Sequence, residues 1–235
     1  MKLFESISQL LSALKVRAEH ASYRVRGRKC NFEKIYKEGG FSGREYPASG
    51  VGSTLEQTRR IRESIPAIIK ALEAKVLLDA PCGDFTWMQE MNLGNTYYIG
   101  ADIVEEVIKK NTLSHFRKNR SFVVADIVQD SLPKADIVLC RDCFVHLSNK
   151  DIVRAIRNFK KSQSTYLLTT NFYSIQKNID LVSGRGWRPI NLKIPPFNFP
   201  SPLQVIIEEC TELNGEYKDK SLGLWKLADI ALELH

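Results

Sequence analysis

The chain has 235 residues, 43% of them hydrophobic, and carries a formal net charge of +7. This supports one large core and excludes both a disulfide-stapled miniature and a disordered polyelectrolyte. The charge also argues against a nucleic-acid channel through the body of the protein, because residues 1–44 hold ten Lys and Arg against four Asp and Glu while the rest is nearly neutral. No nucleic-acid partner is expected. The five cysteines are odd in number and scattered, as in a reduced cytoplasmic protein. Cys140 and Cys143 form a lone C-x-x-C without a second ligand pair, so no metal is expected.

At the N-terminus Leu3, Phe4, Ile7, Leu10, Leu11 and Leu14 fall at helical spacing, and Lys15, Arg17, Arg24, Arg26, Arg28 and Lys29 follow. Two uses fit residues 1–30. The helix lies peripherally on an anionic membrane or an acidic partner, or it packs on its own domain or on a second copy. Residues 39–53 contain five glycines, with aromatics at Phe41 and Tyr46, which suits a flap over a ligand. Ser53-Thr54-Leu55-Glu56 has capping-box spacing and predicts a helix from there to about residue 73, kinked or split at Pro66. Residues 1–53 therefore read as an extension, and 54–235 as the main domain.

From residue 75 strands and helices alternate. Strands are predicted at 75–80, 97–102, 121–126, 135–140 and 164–171, with helices near 84–91, 104–112 and 148–161. Such alternation predicts an α/β fold with a doubly wound, mostly parallel sheet, whose ligand sits at the carboxyl ends of the strands. Those ends carry Asp79, Asp102, Asp126 and the pair Arg141-Asp142. The apolar run Val76-Leu77-Leu78 ends in Asp79-Ala80-Pro81-Cys82-Gly83-Asp84, a turn at which a single glycine allows close approach of a ligand to backbone.

This order of signals, over residues 75–171, resembles the Rossmann-like class I S-adenosylmethionine-dependent methyltransferases. The resemblance implies a seven-stranded sheet with an antiparallel final strand pair and S-adenosyl-L-methionine as cofactor. It implies that Asp79, Ala80, Cys82 and Gly83 approach the amino-acid part of the cofactor, that Asp102 with Ile103 holds the ribose, and that Asp126 and Ile127 meet the adenine. A carboxylate such as Asp102 has two acceptor oxygens for two adjacent hydroxyls, so the physics agrees. Arg141 to Leu147 resembles the fourth-strand segment of the family, which makes Arg141 a further cofactor contact. The glycine turn departs from the pattern in having one glycine, and no Asn-Pro-Pro-Tyr or Asp-Pro-Pro-Tyr follows the fourth strand. Gly83 and Asp102 lie 19 residues apart, which also fits an NAD-dependent oxidoreductase, but a pyrophosphate needs more glycine than this turn offers.

Two residues beyond the fourth strand, Asp142 and His146, are the candidates for a catalytic base that deprotonates an acceptor hydroxyl. Asp142 with Asn171 faintly resembles the metal ligands of catechol-type O-methyltransferases, but Thr170 stands where a further carboxylate is needed, and no metal is assigned. Residues 172–202 hold five of the nine prolines, together with Trp187, Phe197 and Phe199, and read as an acceptor-pocket wall. Residues 203–207 and 222–227 read as the last two strands. The expected activity is methyl transfer to an oxygen of a small-molecule or glycan acceptor. The alternative is a non-catalytic cofactor-binding or scaffold protein of the same fold.

Overall fold

The computed structural model describes residues 27–41 and 47–232. Helix α1 covers residues 27–37. It is followed by α2 (Arg59–Ala71), β1 (Val76–Asp79), β2 (Tyr97–Asp102), α3 (Glu105–His115) and β3 (Arg120–Val124). The chain continues through β4 (Ile137–Cys140), α4 (Asn149–Lys161), β5 (Tyr166–Phe172), β6 (Gln204–Ile207) and β7 (Lys220–Lys226). The seven strands form one sheet in the order β3-β2-β1-β4-β5-β7-β6. The first five pair in parallel, whereas β7 runs antiparallel between β5 and β6.

The alternation of side chains along the strands produces two cores. Leu77, Ile137, Leu139 and Leu168 face Ile61, Ile65, Ile68 and Ile69 of α2 and Ile108 of α3. Leu78, Val138, Cys140 and Leu167 face Ile152, Ala155, Ile156 and Phe159 of α4 on the other side. Strands buried on both faces need apolar residues at every position, and all four residues of β4 are buried. The α4 stripe has i, i+3, i+4, i+7 spacing, and burying a side chain such as Phe159 stabilises the fold by roughly 1.5–3 kcal/mol. Ser148 caps this helix by accepting from the Asp151 amide at 3.2 Å, and Lys160 and Lys161 sit in its last turn, where cations suit the dipole.

Several expectations require correction. No α-helix spans 84–91: Phe85 adopts φ 63° and packs edge-on against Tyr98 and Phe122, leaving only a short 3-10 turn at Met88–Glu90. Burial of the Phe85 ring overrides the local helical pattern. Helix α2 begins at Arg59, because Thr54 makes a local turn by accepting from the Gln57 amide, and Leu55 is exposed. Pro66 lies inside α2 without splitting it. Phe197 and Phe199 are core residues, with Phe199 edge-on to Trp225, and line neither of the two cavities described below. The amphipathic stretch 3–14 and Tyr46 lie outside the described residues. Among the described residues no helix is long and apolar enough to cross a membrane.

Candidate active site

The parallel strands β1, β2 and β4 all end on one rim, so register alone brings Asp79, Asp102 and Arg141 together around a cavity. It is lined also by Cys82, Gly83, Ile103, Asp126, Ile127, Asp142 and His146, so every predicted site residue except Ala80 borders it. Ala80 is fully buried beneath, its amide donating to the Leu139 carbonyl.

Asp102 accepts the Gly83 amide at 3.1 Å on one carboxylate oxygen and the Val104 amide at 2.9 Å on the other. The carboxylate keeps acceptor capacity for a further donor. Burial pushes its carboxyl up to about 6, against these backbone donors. Asp79 is buried too and accepts the Tyr98 hydroxyl at 2.7 Å; burial pushes it up to about 7. Gly83 has φ +53°, and a Cβ there would collide with the Ser49 hydroxyl. The flap thus rests directly on the turn. Ser49 and Asp84 lock it by two bonds, Asp84 N–H to Ser49 Oγ at 2.8 Å and Ser49 N–H to Asp84 Oδ2 at 3.2 Å.

Asp126 lies just beyond β3, and its carboxylate is paired with Arg28 of α1 at 2.8 Å. Arg28 belongs to the basic stretch read as meeting a membrane or acidic partner or as packing on its own domain or a second copy, and here it is paired within the protein. Arg141 is held by Glu208 at 2.6 Å and Asp142 at 3.2 Å, and lies over the Trp87 ring at 5.6 Å. Asp142 also accepts Lys220 Nζ at 2.7 Å and the Thr170 hydroxyl at 3.2 Å. The Arg141 and Lys220 cations hold the Asp142 carboxyl well below its usual range despite burial, so it is a poor proton acceptor.

His146 differs. Its Nδ1 lies 2.7 Å from the Gly186 carbonyl, which only accepts, so Nδ1 carries the proton and Nε2 keeps its lone pair. Burial lowers the His146 pKa below 6.5, keeping the ring neutral. The Phe41 ring of the flap sits 4.4 Å from it.

A second cavity adjoins the first. His146, Asp142, Ile35, Gly40, Phe41 and Ser49 border both. Its other walls are Phe172, Trp187 and Tyr217, three rings in mutual edge contact at 5.0–5.8 Å, with Lys220 and Glu212. At about 480 Å³ it falls in the range of small-molecule sites, roughly 300–1,000 Å³, while the first cavity, at about 160 Å³, lies below that range. Of the 172–202 segment, only Phe172, Gly184, Gly186 and Trp187 take part. Arg188 is a strut, donating to the Phe144, Leu147 and Ile179 carbonyls. Among the described residues no group of acidic, His and Cys side chains is arranged to hold a metal ion.

Sequence reasoning missed Arg28, Ser49, Glu208, Glu212 and Lys220. A signal existed for Arg28, because Arg28, Phe32, Ile35 and Tyr36 share one helical face and all line the first cavity. Glu208 and Lys220 have no local signal; β7 pairing alone brings them to the β4 rim.

No family model and no curated protein matches the chain. Solved structures do. Seven strands with β7 and β6 as an antiparallel final pair agree with the resemblance noted above. The fold is a seven-stranded, mostly parallel α/β sheet of Rossmann-like type. Among similar structures is human N-acetylserotonin methyltransferase in complex with SAM, at 10% identity, TM-score 0.49, covering 85% of this chain and 66% of that one. Another is magnesium protoporphyrin IX methyltransferase from Synechocystis with bound SAH, at 18% identity, TM-score 0.40, with 49% and 56% coverage. A third is the amino pentose methyltransferase CalS10 from Micromonospora echinaspora, at 15% identity, TM-score 0.42, with 50% and 51% coverage. The chain thus spans about half to two thirds of the length of these proteins.

Proposed function

We propose that the protein is an S-adenosylmethionine-dependent methyltransferase that acts on a hydroxyl oxygen of a small or carbohydrate-like acceptor. The observation that carries this reading is the meeting of two cavities at His146, which lines both and whose Nδ1 is held by the Gly186 carbonyl.

The first cavity suits the cofactor. Asp102 keeps acceptor capacity for ribose hydroxyls, Gly83 offers backbone without a side chain, and the turn has one glycine where a pyrophosphate needs close backbone approach at more than one point. Ile103 and Ile127 supply apolar walls for the base. When bound, the sulfonium supplies an electrophilic methyl group.

The remaining work belongs to the chain. Trp187, Tyr217 and Phe172 offer ring faces and edges on which an acceptor is aligned, which is the largest contribution a transferase makes to an in-line displacement. Neutral His146 accepts the proton of the acceptor hydroxyl at Nε2 as it attacks, and the Gly186 carbonyl steadies the imidazolium through Nδ1–H. Asp142, of the two base candidates, serves instead to anchor Lys220 and Arg141. The flap excludes water when Phe41 covers His146.

The test is to incubate the protein with methyl-labelled cofactor and fractionated lysate, and to titrate S-adenosylhomocysteine by calorimetry. Label in an oxygen of a small acceptor, with S-adenosylhomocysteine bound more tightly than NAD, is the expected result. The reverse preference, or no binding of S-adenosylhomocysteine, overturns the assignment.

A further inference from the structure

Helix α1 touches both halves of the site through one face. Arg28 donates from Nη2 at 2.8 Å and Nε at 3.2 Å to Asp126 at the rim of the first cavity, and from Nη1 at 3.1 Å to Asp151 on α4. One guanidinium therefore bridges two carboxylates, a task its fork geometry suits and a lysine cannot repeat.

The connection continues from Asp151. Its other oxygen accepts the Ser183 hydroxyl at 2.6 Å, and the same Ser183 Oγ accepts the Ser148 amide at 2.9 Å. Ser183 begins the loop that walls the second cavity. Asn31, one turn along α1 from Arg28, donates to the Ser183 carbonyl at 3.1 Å. Gly184 lies against it so closely that a Cβ there would be 2.7 Å from the Asn31 Cβ. The Gly184 amide then donates to the His146 carbonyl at 2.9 Å, and the Gly186 carbonyl receives His146 Nδ1 at 2.7 Å. Thus α1 holds the loop at Ser183 and Gly184, and the loop holds His146 at its main-chain carbonyl and at its ring Nδ1.

We propose that Arg28 is a positioning residue: through Asp151 and Ser183 it sets the 183–187 loop, and so fixes His146 in the tautomer that carries its proton on Nδ1 and leaves the Nε2 lone pair free. Because the same guanidinium neutralises Asp126, the state of the first cavity and the orientation of His146 are linked through α1. Calling the first-cavity ligand S-adenosylmethionine rests on the function proposed above; the link itself is a property of the chain.

The test compares the parent with Arg28→Ala, Arg28→Lys and Ser183→Ala, without ligand and with S-adenosylhomocysteine. Hydrogen exchange at Gly184 and Arg188 should accelerate about tenfold in Arg28→Ala and Ser183→Ala, while amides of β1 and β4 keep parental rates. Nitrogen-15 spectra should show His146 moving from the Nδ1–H tautomer toward Nε2–H in both variants, and Arg28→Lys should not restore the parental spectrum. Parental tautomer in Arg28→Ala and Ser183→Ala overturns the proposal, whether or not exchange has quickened, because the residues are then only structural. If Arg28→Ala loosens the whole sheet, Ser183→Ala decides, since it removes one hydroxyl and no charge. A parent that fails to bind S-adenosylhomocysteine counts against the methyltransferase reading, and the ligand-free spectra still decide this one.

Discussion

The two cavities that meet at His146 are built by different means. The first is framed by the ends of neighbouring parallel strands, with Asp79 on β1, Asp102 on β2 and Arg141 after β4, so its polar groups are placed by sheet register over short stretches of chain. The second draws on segments far apart: the flap, the 184–187 loop and the turn before β7, held by an ion-pair cluster of Arg141, Asp142, Glu208, Glu212 and Lys220. A site on a common sheet rim tolerates change in its loops. A site assembled from distant loops depends on the buried charges that join them, and a change to one of those charges loosens a wall.

Four substitutions separate these roles. The largest effect is expected from His146→Ala, which should lower methyl transfer by about 10²–10⁴ while S-adenosylhomocysteine binds as before, because the base acts on the acceptor alone. The parental rate should fall on acidification only below about 6.5, since burial lowers the His146 pKa. Transfer of label in a timed assay checks both, and near-parental turnover would remove His146 from the chemistry.

Asp142→Ala should destabilise the protein on the order of 3 kcal/mol, because Arg141 and Lys220 are left buried with one carboxylate fewer. Urea unfolding measures this. The lowered Asp142 pKa adds a direction: its stabilisation is complete above the unfolded value of 3.8 and is lost as pH falls below it. A neutral outcome would mean that the acceptor wall stands without its ionic floor.

Asp102→Ala should weaken S-adenosylhomocysteine binding by roughly 1.5–3 kcal/mol, as for the loss of charge-assisted hydrogen bonds, with little effect on the second cavity. Calorimetry reads the change directly; an unchanged dissociation constant would move the ribose away from β2.

Asp79→Asn addresses the strand rim without a ligand. The folded carboxyls of Asp79 and Asp102, raised to about 7 and about 6 from 3.8, hold protons that the unfolded chain has lost. Ligand-free stability should therefore decline as pH rises from about 4 to 7, and Asp79→Asn should flatten that decline, since an amide oxygen still accepts the Tyr98 hydroxyl. Melting temperature across this range is the measurement, and a parental slope in the variant would show that Asp79 is not the source.

The smallest expected effect is at the flap. Amides of Phe41 and Asp84, which donate to the Ala48 carbonyl and Ser49 hydroxyl, should exchange more slowly with S-adenosylhomocysteine bound. Equal exchange would make residues 39–53 ordinary surface.

How far each region could be read from the amino acids follows from the range of the interactions that build it. Strands β1, β2, β4, β5 and β7 and helices α3 and α4 were legible because apolar periodicity is a local property, and the strand-end carboxylates followed from where those strands stop. The helix expected at 84–91 was misread for the same reason: its pattern is helical, but Phe85 turns into the core against Tyr98 and Phe122, which lie outside the local window. The 172–202 segment was legible only as irregular and aromatic. Folding divided its rings, sending Phe197 and Phe199 into the core and Trp187 to the cavity.

Thus the order of elements and the carboxylates at the strand ends are properties of the sequence, since each depends on neighbours within a few residues. The pairing of Arg28 with Asp126 and Asp151, of Arg141 with Glu208 and of Lys220 with Asp142 is a property of the tertiary structure. These partners lie between 67 and 123 residues apart, and a charge carries no mark of its partner until the sheet has closed the distance. The same holds for His146: its type suggests a base, but only the Gly186 carbonyl decides which nitrogen is free.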